Sequence, residues 1–157
     1  MKKNCQYTSF VLDKEIRRCL SSLEMAARSK NIEMCFSIPE NINLFSDLNM
    51  VNTIVRNLVS NAIKFTPHGG RIEISANNSN IDQIEISVKD TGIGMDNKLL
   101  NNLFCISESH GRSGTEGEPS TGMGLYICRD YIERLGGTIR AESEEGKGSV
   151  FFFTIPS

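Results

Sequence analysis

The chain has 157 residues, of which 39% are hydrophobic and 23% are charged, and its formal charge is -2. This composition is typical of a globular domain and excludes a chain dominated by disorder. The small net charge provides no broad basic surface for nucleic acid or anionic lipid, and no apolar stretch is long enough to cross a membrane. We therefore expect residues 1–157 to form one folded domain that contacts neither nucleic acid nor membrane directly.

The cysteines indicate a reducing compartment. Their number is odd, they are widely scattered, and no two of them form a C-x-x-C pair. We interpret them as free, space-filling thiols of a cytosolic protein, and a zinc or disulfide role is not favoured. The five are Cys5, Cys19, Cys35, Cys105 and Cys128.

The first half of the chain predicts a helix, two short strands and a second helix. Apolar residues recur every three to four positions in FVLDKEIRRCLSSLEMAARSKNIEM, which indicates an amphipathic helix ending near residues 29–31. IEMCFSIP and NINLFSD predict strands, the first of which stops at Pro39. Asp47 is then a suitable cap for a helix from about Leu48 to Phe65, which ends before the TPHGG turn.

The second half predicts two hairpins separated by a loop and a helix. RIEISANN and QIEISVKD alternate as strands, with residues 77–82 as their connection. An irregular region from about Met95 to Gly122 follows, and loops of that length are often functional. A helix from about Met123 to Leu135 and the strands TIRAESE and SVFFFTIP, joined by EGKG, close the chain.

These elements predict an α/β (α+β) fold. Helices on one side and strands on the other form a two-layer sandwich, in which a mixed, mostly antiparallel sheet packs on the helices. The sequence shows no internal repeat and no clear second domain.

The stretch NLVSNAIKF places polar residues inside the second predicted helix. At about 100° per residue, Asn57, Asn61 and Lys64 lie within about 60° of one another, while the apolar residues cluster on a different face. Such a stripe offers amide oxygens to a hard cation and an ammonium group to phosphates. Taken alone, a solvated helix face is the simpler interpretation.

The motif KDTGIGM directly follows a predicted strand. The carboxylate of Asp90 can accept a hydrogen bond from an amino group such as that of adenine. Gly92 and Gly94 would allow the backbone to approach a flat ring closely. In isolation, a turn at the end of a strand explains this motif equally well.

The motif STGMGLYI opens the last predicted helix. Gly122 and Gly124 lie at its start, where backbone N–H groups and the helix dipole favour a polyphosphate. Between the two glycine motifs, Arg112 is a cation that could reach a terminal phosphate. An ordinary glycine-rich helix entry and an exposed arginine are the alternatives.

The order of these parts resembles the ATP-binding domain of sensor histidine kinases. That domain belongs to a superfamily with the Bergerat nucleotide fold, together with gyrase-type topoisomerases, mismatch-repair ATPases and the large heat-shock chaperones. The resemblance extends over nearly the whole chain. It implies Mg2+ and ATP as cofactors and a mobile ATP lid at about residues 96–121.

The resemblance also implies roles for individual residues. Asn61 is similar to the magnesium-ligating asparagine of the family, Asn57 to its polar neighbour and Lys64 to a phosphate-contacting lysine. Asp90 resembles the residue that recognises the adenine amino group. The further ATP-binding positions implied are Gly92, Gly94, Met95, Phe104, Arg112, Thr121, Gly122, Gly124 and Leu125.

Position 57 bears on the reaction. ATPases of the superfamily generally carry a glutamate there as general base, and an amide cannot take a proton from water at neutral pH. Asn57 therefore favours phosphotransfer over hydrolysis, with Asn57 and Lys64 as the catalytic residues. In sensor kinases the acceptor is a histidine on a helical dimerisation domain. Because His68 and His110 fall in predicted loops, we expect that domain to be absent from this chain.

The sequence thus predicts the catalytic domain of a larger sensor kinase. The expected partners are the helical dimerisation domain of the same kinase, which would dimerise, and indirectly a response regulator. The expected location is cytoplasmic, and anchoring of the parent sensor in the inner membrane is left open. Two alternatives remain, namely a degenerate nucleotide-binding regulatory module and a superfamily ATPase or serine kinase that needs no histidine domain.

Overall fold

A five-stranded sheet and a layer of helices form most of the molecule. The computed structural model describes residues 5–101, 103, 115 and 124–157. Within them the sheet has the strand order β2-β4-β5-β7-β6, and a separate two-stranded ribbon pairs β1 with β3. Among the strand pairs of the described residues, only β2–β4 is parallel, so the predicted mixed, mostly antiparallel two-layer sandwich is confirmed.

The described part of the chain contains short helices around one long one, and none of its helices is long and apolar enough to cross a membrane. The elements are β1 (Tyr7–Val11), α1 (Leu12–Leu20), a 3₁₀ turn (Ser21–Leu23), α2 (Glu24–Ser29), β2 (Glu33–Ser37), β3 (Asn43–Asp47), α3 (Leu48–Phe65), β4 (Arg71–Asn80), β5 (Gln83–Asp90), α4 (Asn97–Asn101), α5 (Gly124–Arg134), β6 (Ile139–Glu144) and β7 (Gly148–Pro156).

Helix α3 forms the centre of the helical layer. The predicted cap is confirmed, because Oδ1 of Asp47 accepts a hydrogen bond of 3.0 Å from the backbone N–H of Met50. The apolar face of α3 is buried in the core, whereas Asn57, Asn61 and Lys64 are half-buried beside that face. The buried side chains are Met50, Val51, Ile54, Val55, Leu58, Val59, Ala62 and Ile63.

The alternation of β5 determines where Asp90 lies. Ile84, Ile86 and Val88 are buried on the face of the sheet that packs on the helices. Asp90 continues the same alternation at the end of the strand, where its cross-strand partner is Ser149 of β7. The carboxylate is therefore directed to the helical side of the sheet, at the C-terminal end of its central strand.

The predicted start of the first helix is wrong, because the helix begins later in the chain. Residues 7–11 form β1, which pairs with β3 and buries Phe10 opposite Leu44. The helix begins only at Leu12, and a 3₁₀ turn at Ser21–Leu23 divides it. The apolar spacing runs continuously from strand to helix, so only the partner strand distinguishes the two.

The first hairpin is longer than predicted. β4 continues to Asn80 and β5 begins at Gln83, so residues 77–80 form a strand although they were assigned to the connection. Their polar side chains lack an alternating pattern, and backbone pairing with β5 holds them, with a register shift between Asn78 and Asn80.

The described residues of the region predicted as irregular include a short helix, α4. Oδ1 of Asp96 accepts a hydrogen bond of 2.8 Å from the N–H of Leu99, which caps the first turn of this helix. An aspartate followed by NKLLN is a suitable helix start, so local sequence carried a signal that the loop assignment overlooked.

Candidate functional site

The loop after β5 lies against the C-terminal end of α3. The backbone N–H of Ile93 donates a hydrogen bond of 3.0 Å to the carbonyl of Phe65. A Cβ placed on Gly92 would collide with that carbonyl and would lie 2.7 Å from Oδ1 of Asp90. Gly92 thus allows the close approach that joins the DTGIGM motif to the helix carrying Asn57, Asn61 and Lys64.

Backbone donors from two elements hold the carboxylate of Asp90. Its side chain is buried, and Oδ1 accepts hydrogen bonds from the N–H of Gly92 at 2.8 Å and of Ser149 at 3.3 Å. Both bonds end on the same oxygen. The carboxylate is therefore fixed in orientation before any ligand binds.

Two serines that the motifs did not identify extend this arrangement. The hydroxyls of Ser143 and Ser149 are 2.8 Å apart, and Oγ of Ser143 accepts a hydrogen bond of 2.8 Å from the N–H of Met95. The pair therefore connects Met95 to the strand that contacts Asp90. One feature of the sequence could have identified these serines. Both occupy positions on the inner face of β6 and β7, where the other residues of that face are apolar.

Gly94 lies where the same loop touches the turn between β6 and β7. Its φ is +69°, and a Cβ there would collide with the carbonyl of Glu144. One residue earlier, the carbonyl of Ile93 accepts a hydrogen bond of 2.8 Å from the N–H of Gly146. The second glycine of the motif is therefore required by both conformation and space.

A shallow pocket of about 290 Å³ opens beside Asp90. Its lining includes lysine and glutamate side chains beside Asp90, which can form hydrogen bonds with a polar ligand. It includes no residue of α3, so it covers only one end of the predicted site. The lining residues are Lys89, Asp90, Glu142, Ser143, Glu144, Lys147, Gly148, Ser149 and Val150.

At the other end of the site, α5 begins next to Asn57. A Cβ placed on Gly124 would lie 3.8 Å from Cγ and Oδ1 of Asn57, which is ordinary contact distance. Farther along α5, the buried Cys128 thiol donates to the carbonyl of Ile54 at 3.6 Å. The N-terminus of α5, where the helix dipole favours anions, is thus packed against the polar stripe of α3.

Cys128 adds no charge to this region. Burial raises the pKa of its thiol to about 12, while a side-chain hydrogen bond with Asn57 acts in the opposite direction. The thiol is therefore neutral at physiological pH. A bound phosphate chain would meet no thiolate beneath Asn57.

The structure describes only some of the residues that were predicted to form the site. It brings Asn57 together with Gly124 and joins Asp90 to Gly92 directly. Asn61, Lys64 and Leu125 are half-buried on α3 and α5. The predicted positions Phe104, Arg112, Thr121 and Gly122, most of the predicted lid, and also Cys105 and His110, lie outside the described residues.

In the described part of the chain, no cluster of His, Cys, Asp and Glu side chains forms a metal-binding site by itself. Among those residues, no group of three or more His, Cys, Asp and Glu side chains could hold an ion. A divalent cation at Asn61 could complete its coordination with oxygen atoms of a bound molecule. Magnesium commonly binds in this way, through few protein oxygens together with substrate phosphates and water.

Comparison with known proteins decides the family. The model of the histidine kinase-, DNA gyrase B- and HSP90-like ATPase family matches residues 46–157, which include every motif described above. The chain belongs to this family. The predicted resemblance is confirmed, and membership of the family implies ATP binding.

Its similarities lie with histidine kinases. The aerobic respiration control sensor protein ArcB of Escherichia coli (strain K12) is 33% identical over 153 residues, covering 95% of this chain and 19% of ArcB. The nucleotide-free catalytic domain of histidine kinase ThkA is 33% identical with a TM-score of 0.83, covering 96% of this chain and 95% of that one. ThkA in complex with the response regulator protein TrrA is 29% identical with a TM-score of 0.79, over 97% and 42% of the two chains.

These histidine kinase relatives place the chain in two-component signalling. They also differ from it in length, since the chain spans from 7% to 38% of the sequence relatives that it matches. The similarity therefore concerns the catalytic domain, and it leaves the activity of a whole kinase to be inferred.

Proposed function

We propose that this domain binds Mg-ATP and donates the γ-phosphate to a histidine on a helical dimerisation domain of the same sensor kinase. The proximity of Asn57 to the start of α5 carries the proposal. That position favours phosphates, and its side chain is an amide without a basic group. A site of this kind can orient a phosphoryl group and cannot activate water.

The two ends of the site suit the two ends of a nucleotide. Asp90, held by Gly92 and Ser149, offers a carboxylate to the amino group of adenine. Toward α5, Asn57, Asn61 and Lys64 offer amides and a cation to the phosphates. The backbone hydrogen bond from Ile93 to Phe65 joins the loop after Asp90 to the helix that carries the other three residues.

The cation would enter with the nucleotide. Asn61 supplies an amide oxygen, and no carboxylate cluster stands beside it among the described residues. Bound Mg2+ would neutralise negative charge on the phosphates. Lys64 would act on the same charge from the protein side, while Asn57 and the N-terminus of α5 fix the direction of the phosphoryl group.

The transfer itself needs little chemistry from the protein. A nitrogen of the acceptor imidazole attacks the γ-phosphorus in line, a P–N bond forms, and the P–O bond to the leaving ADP breaks. Because Asn57 cannot accept a proton from water, hydrolysis has no assistance at this position. From the acceptor histidine, a response regulator would receive the phosphoryl group, and the known complex of ThkA with TrrA supports this class of partner.

Removal of the Asn61 amide should remove the contribution of magnesium. We expect Asn61→Ala to weaken ATP binding in the presence of Mg2+ by about tenfold, to the affinity that the native domain shows in EDTA. Isothermal titration of both proteins with ATP, with and without Mg2+, measures this. Asn49→Ala provides the control, because Asn49 is exposed on the first turn of the same helix. Retention of full magnesium dependence in Asn61→Ala would place the cation elsewhere.

The native domain should transfer phosphate without hydrolysing ATP. Alone, it should release phosphate from ATP at the background rate. With the helical histidine domain of the parent kinase added, labelled ATP should give an acid-labile phosphate on that domain, and replacing its histidine should abolish the label. Thin-layer analysis and acid treatment separate the products.

The other outcomes identify the rival functions. Steady turnover by this chain alone would support an ATPase and refute the role of Asn57. An acid-stable phosphate would support a serine kinase. Absence of nucleotide binding by the native domain would favour a regulatory module.

A further inference from the structure

A buried lysine lies at the C-terminal end of α3, next to the backbone of Lys64. Lys30 is only 2% exposed, although lysine is rarely buried without partners. Its Nζ is 2.8 Å from the carbonyl oxygen of Ile63, 3.2 Å from that of Lys64 and 2.7 Å from Oγ1 of Thr115. An ammonium group carries three protons, so it can donate to all three acceptors.

Two of the acceptors belong to the last turn of α3. Carbonyls there lack partners within the helix, and the dipole makes this end negative, so a cation stabilises it. The backbone of Lys30 also contributes, because its carbonyl accepts a hydrogen bond of 2.9 Å from the N–H of Gly69 in the following turn. Lys30 therefore holds together the end of the helix that carries Lys64.

The third acceptor comes from the sequence between the two glycine motifs. Thr115 donates its N–H to the carbonyl of Lys64 at 2.8 Å. Its hydroxyl accepts from Lys30 and lies 3.4 Å from the carbonyl of Thr66. Because Thr115 is itself exposed, hydrogen bonds rather than burial keep it in place.

We propose that Lys30 is a positioning residue for nucleotide binding, which fixes Thr115 beside Lys64 at the C-terminal end of α3. The inference rests on the proposed Mg-ATP site. A residue that is already fixed next to Lys64, a predicted phosphate ligand, loses less conformational entropy when the nucleotide binds. Loss of this hydrogen bond should therefore reduce the affinity for nucleotide more than it reduces the stability of the fold.

Thr115→Val tests the proposal with the smallest change. Valine keeps the shape and the N–H of residue 115 and removes only the hydroxyl. We expect the Kd for Mg-ATP to rise about fivefold, since a hydrogen bond to a charged group is lost. The midpoint of thermal unfolding without nucleotide should fall by no more than about 4 °C, because Lys30 loses one acceptor and keeps its two carbonyl acceptors on α3. Thr115→Ser, which keeps the hydroxyl, should bind as the native domain does.

Lys30→Met completes a double-mutant cycle. It should lower both the affinity and the unfolding midpoint, because it leaves the carbonyls of α3 without their cation. In that background, Thr115→Val should have no additional effect on the affinity for Mg-ATP. If Lys30→Met does not fold, the comparison of Thr115→Val with Thr115→Ser still decides the question.

The outcomes separate this inference from the proposed function. Native affinity in Thr115→Val, or equal losses in the valine and serine variants, would overturn the role of Lys30 and Thr115 while leaving Mg-ATP binding intact. Absence of binding by the native domain would overturn the proposed function itself. A fivefold loss in Thr115→Val that serine does not show would support the inference.

Discussion

Asp90→Asn is expected to weaken ATP binding by about 100-fold, because it replaces a carboxylate oxygen with an NH2 group in a buried, preformed site. The amide oxygen can still accept from the N–H groups of Gly92 and Ser149, so the fold should be retained. The NH2 group would then face the amino group of adenine, and two donors cannot form a hydrogen bond. Titration with ATP measures the loss, and thermal unfolding checks the fold.

Asp82→Asn is the matched control for this substitution. It makes the same change of charge at an exposed position at the other end of β5, roughly 25 Å away along the strand. We expect it to bind ATP as the native domain does. An equal loss in both variants would attribute the effect to net charge and contradict the role of Asp90.

Nucleotide preference provides a second readout for Asp90. The native carboxylate should disfavour GTP, because guanine presents a carbonyl acceptor at the position of the adenine amino group. The NH2 group of Asp90→Asn can donate to that carbonyl. The ratio of ATP to GTP affinity should therefore fall in the variant, a change that simple damage to the fold would not produce.

Gly94→Ala is expected to destabilise the fold strongly. The φ of +69° strains any residue with a Cβ by roughly 1 kcal/mol, and the collision with the carbonyl of Glu144 must displace backbone. We expect a total loss of about 3 kcal/mol or more, which lowers the unfolding midpoint by roughly 6–12 °C in a domain of this size. ATP binding should weaken as well, because the displaced loop carries Gly92 and follows Asp90 directly.

Gly146→Ala separates the collision from the strain. Gly146 has a φ of +83° in the turn that Gly94 contacts, and a Cβ there would meet no atom within 4 Å. It should therefore lose only about 1 kcal/mol and retain ATP binding. Scanning calorimetry compares the free energies of unfolding of the two variants. Similar losses of stability would show that the collision with the carbonyl of Glu144 does not destabilise the fold.

Local patterns were sufficient to predict the main helix and the polar stripe on it. Periodicity along α3 separates Asn57, Asn61 and Lys64 from the core face, and the cap at Asp47 follows from residue type alone. Both depend on neighbours within a few positions, which the sequence displays directly. The glycine motifs are likewise local, and their order was enough to indicate the family.

Elements that depend on a distant partner were not predictable in this way. The strand β1 exists because β3 pairs with it, and residues 77–80 extend β4 because β5 lies alongside. In the sequence, Ser143 and Ser149 resemble any other strand residues. Only the strand register places them next to each other and places Ser149 next to Asp90. Pairing and register arise from backbone hydrogen bonds between remote segments, and these leave little trace in side-chain pattern.

The sequence by itself thus determined the fold class, the family and the residues of α3 and β5 from which a nucleotide site can be built. Only the tertiary structure decided how those residues are held. It showed which carbonyl Gly94 must avoid, which backbone groups orient Asp90, and that Lys30, in a segment without any motif, has its ammonium buried against the end of α3. The physical reason is that a motif specifies the residues of one segment only. The burial and the hydrogen bonds of those residues depend on which other segments pack against them in the folded chain.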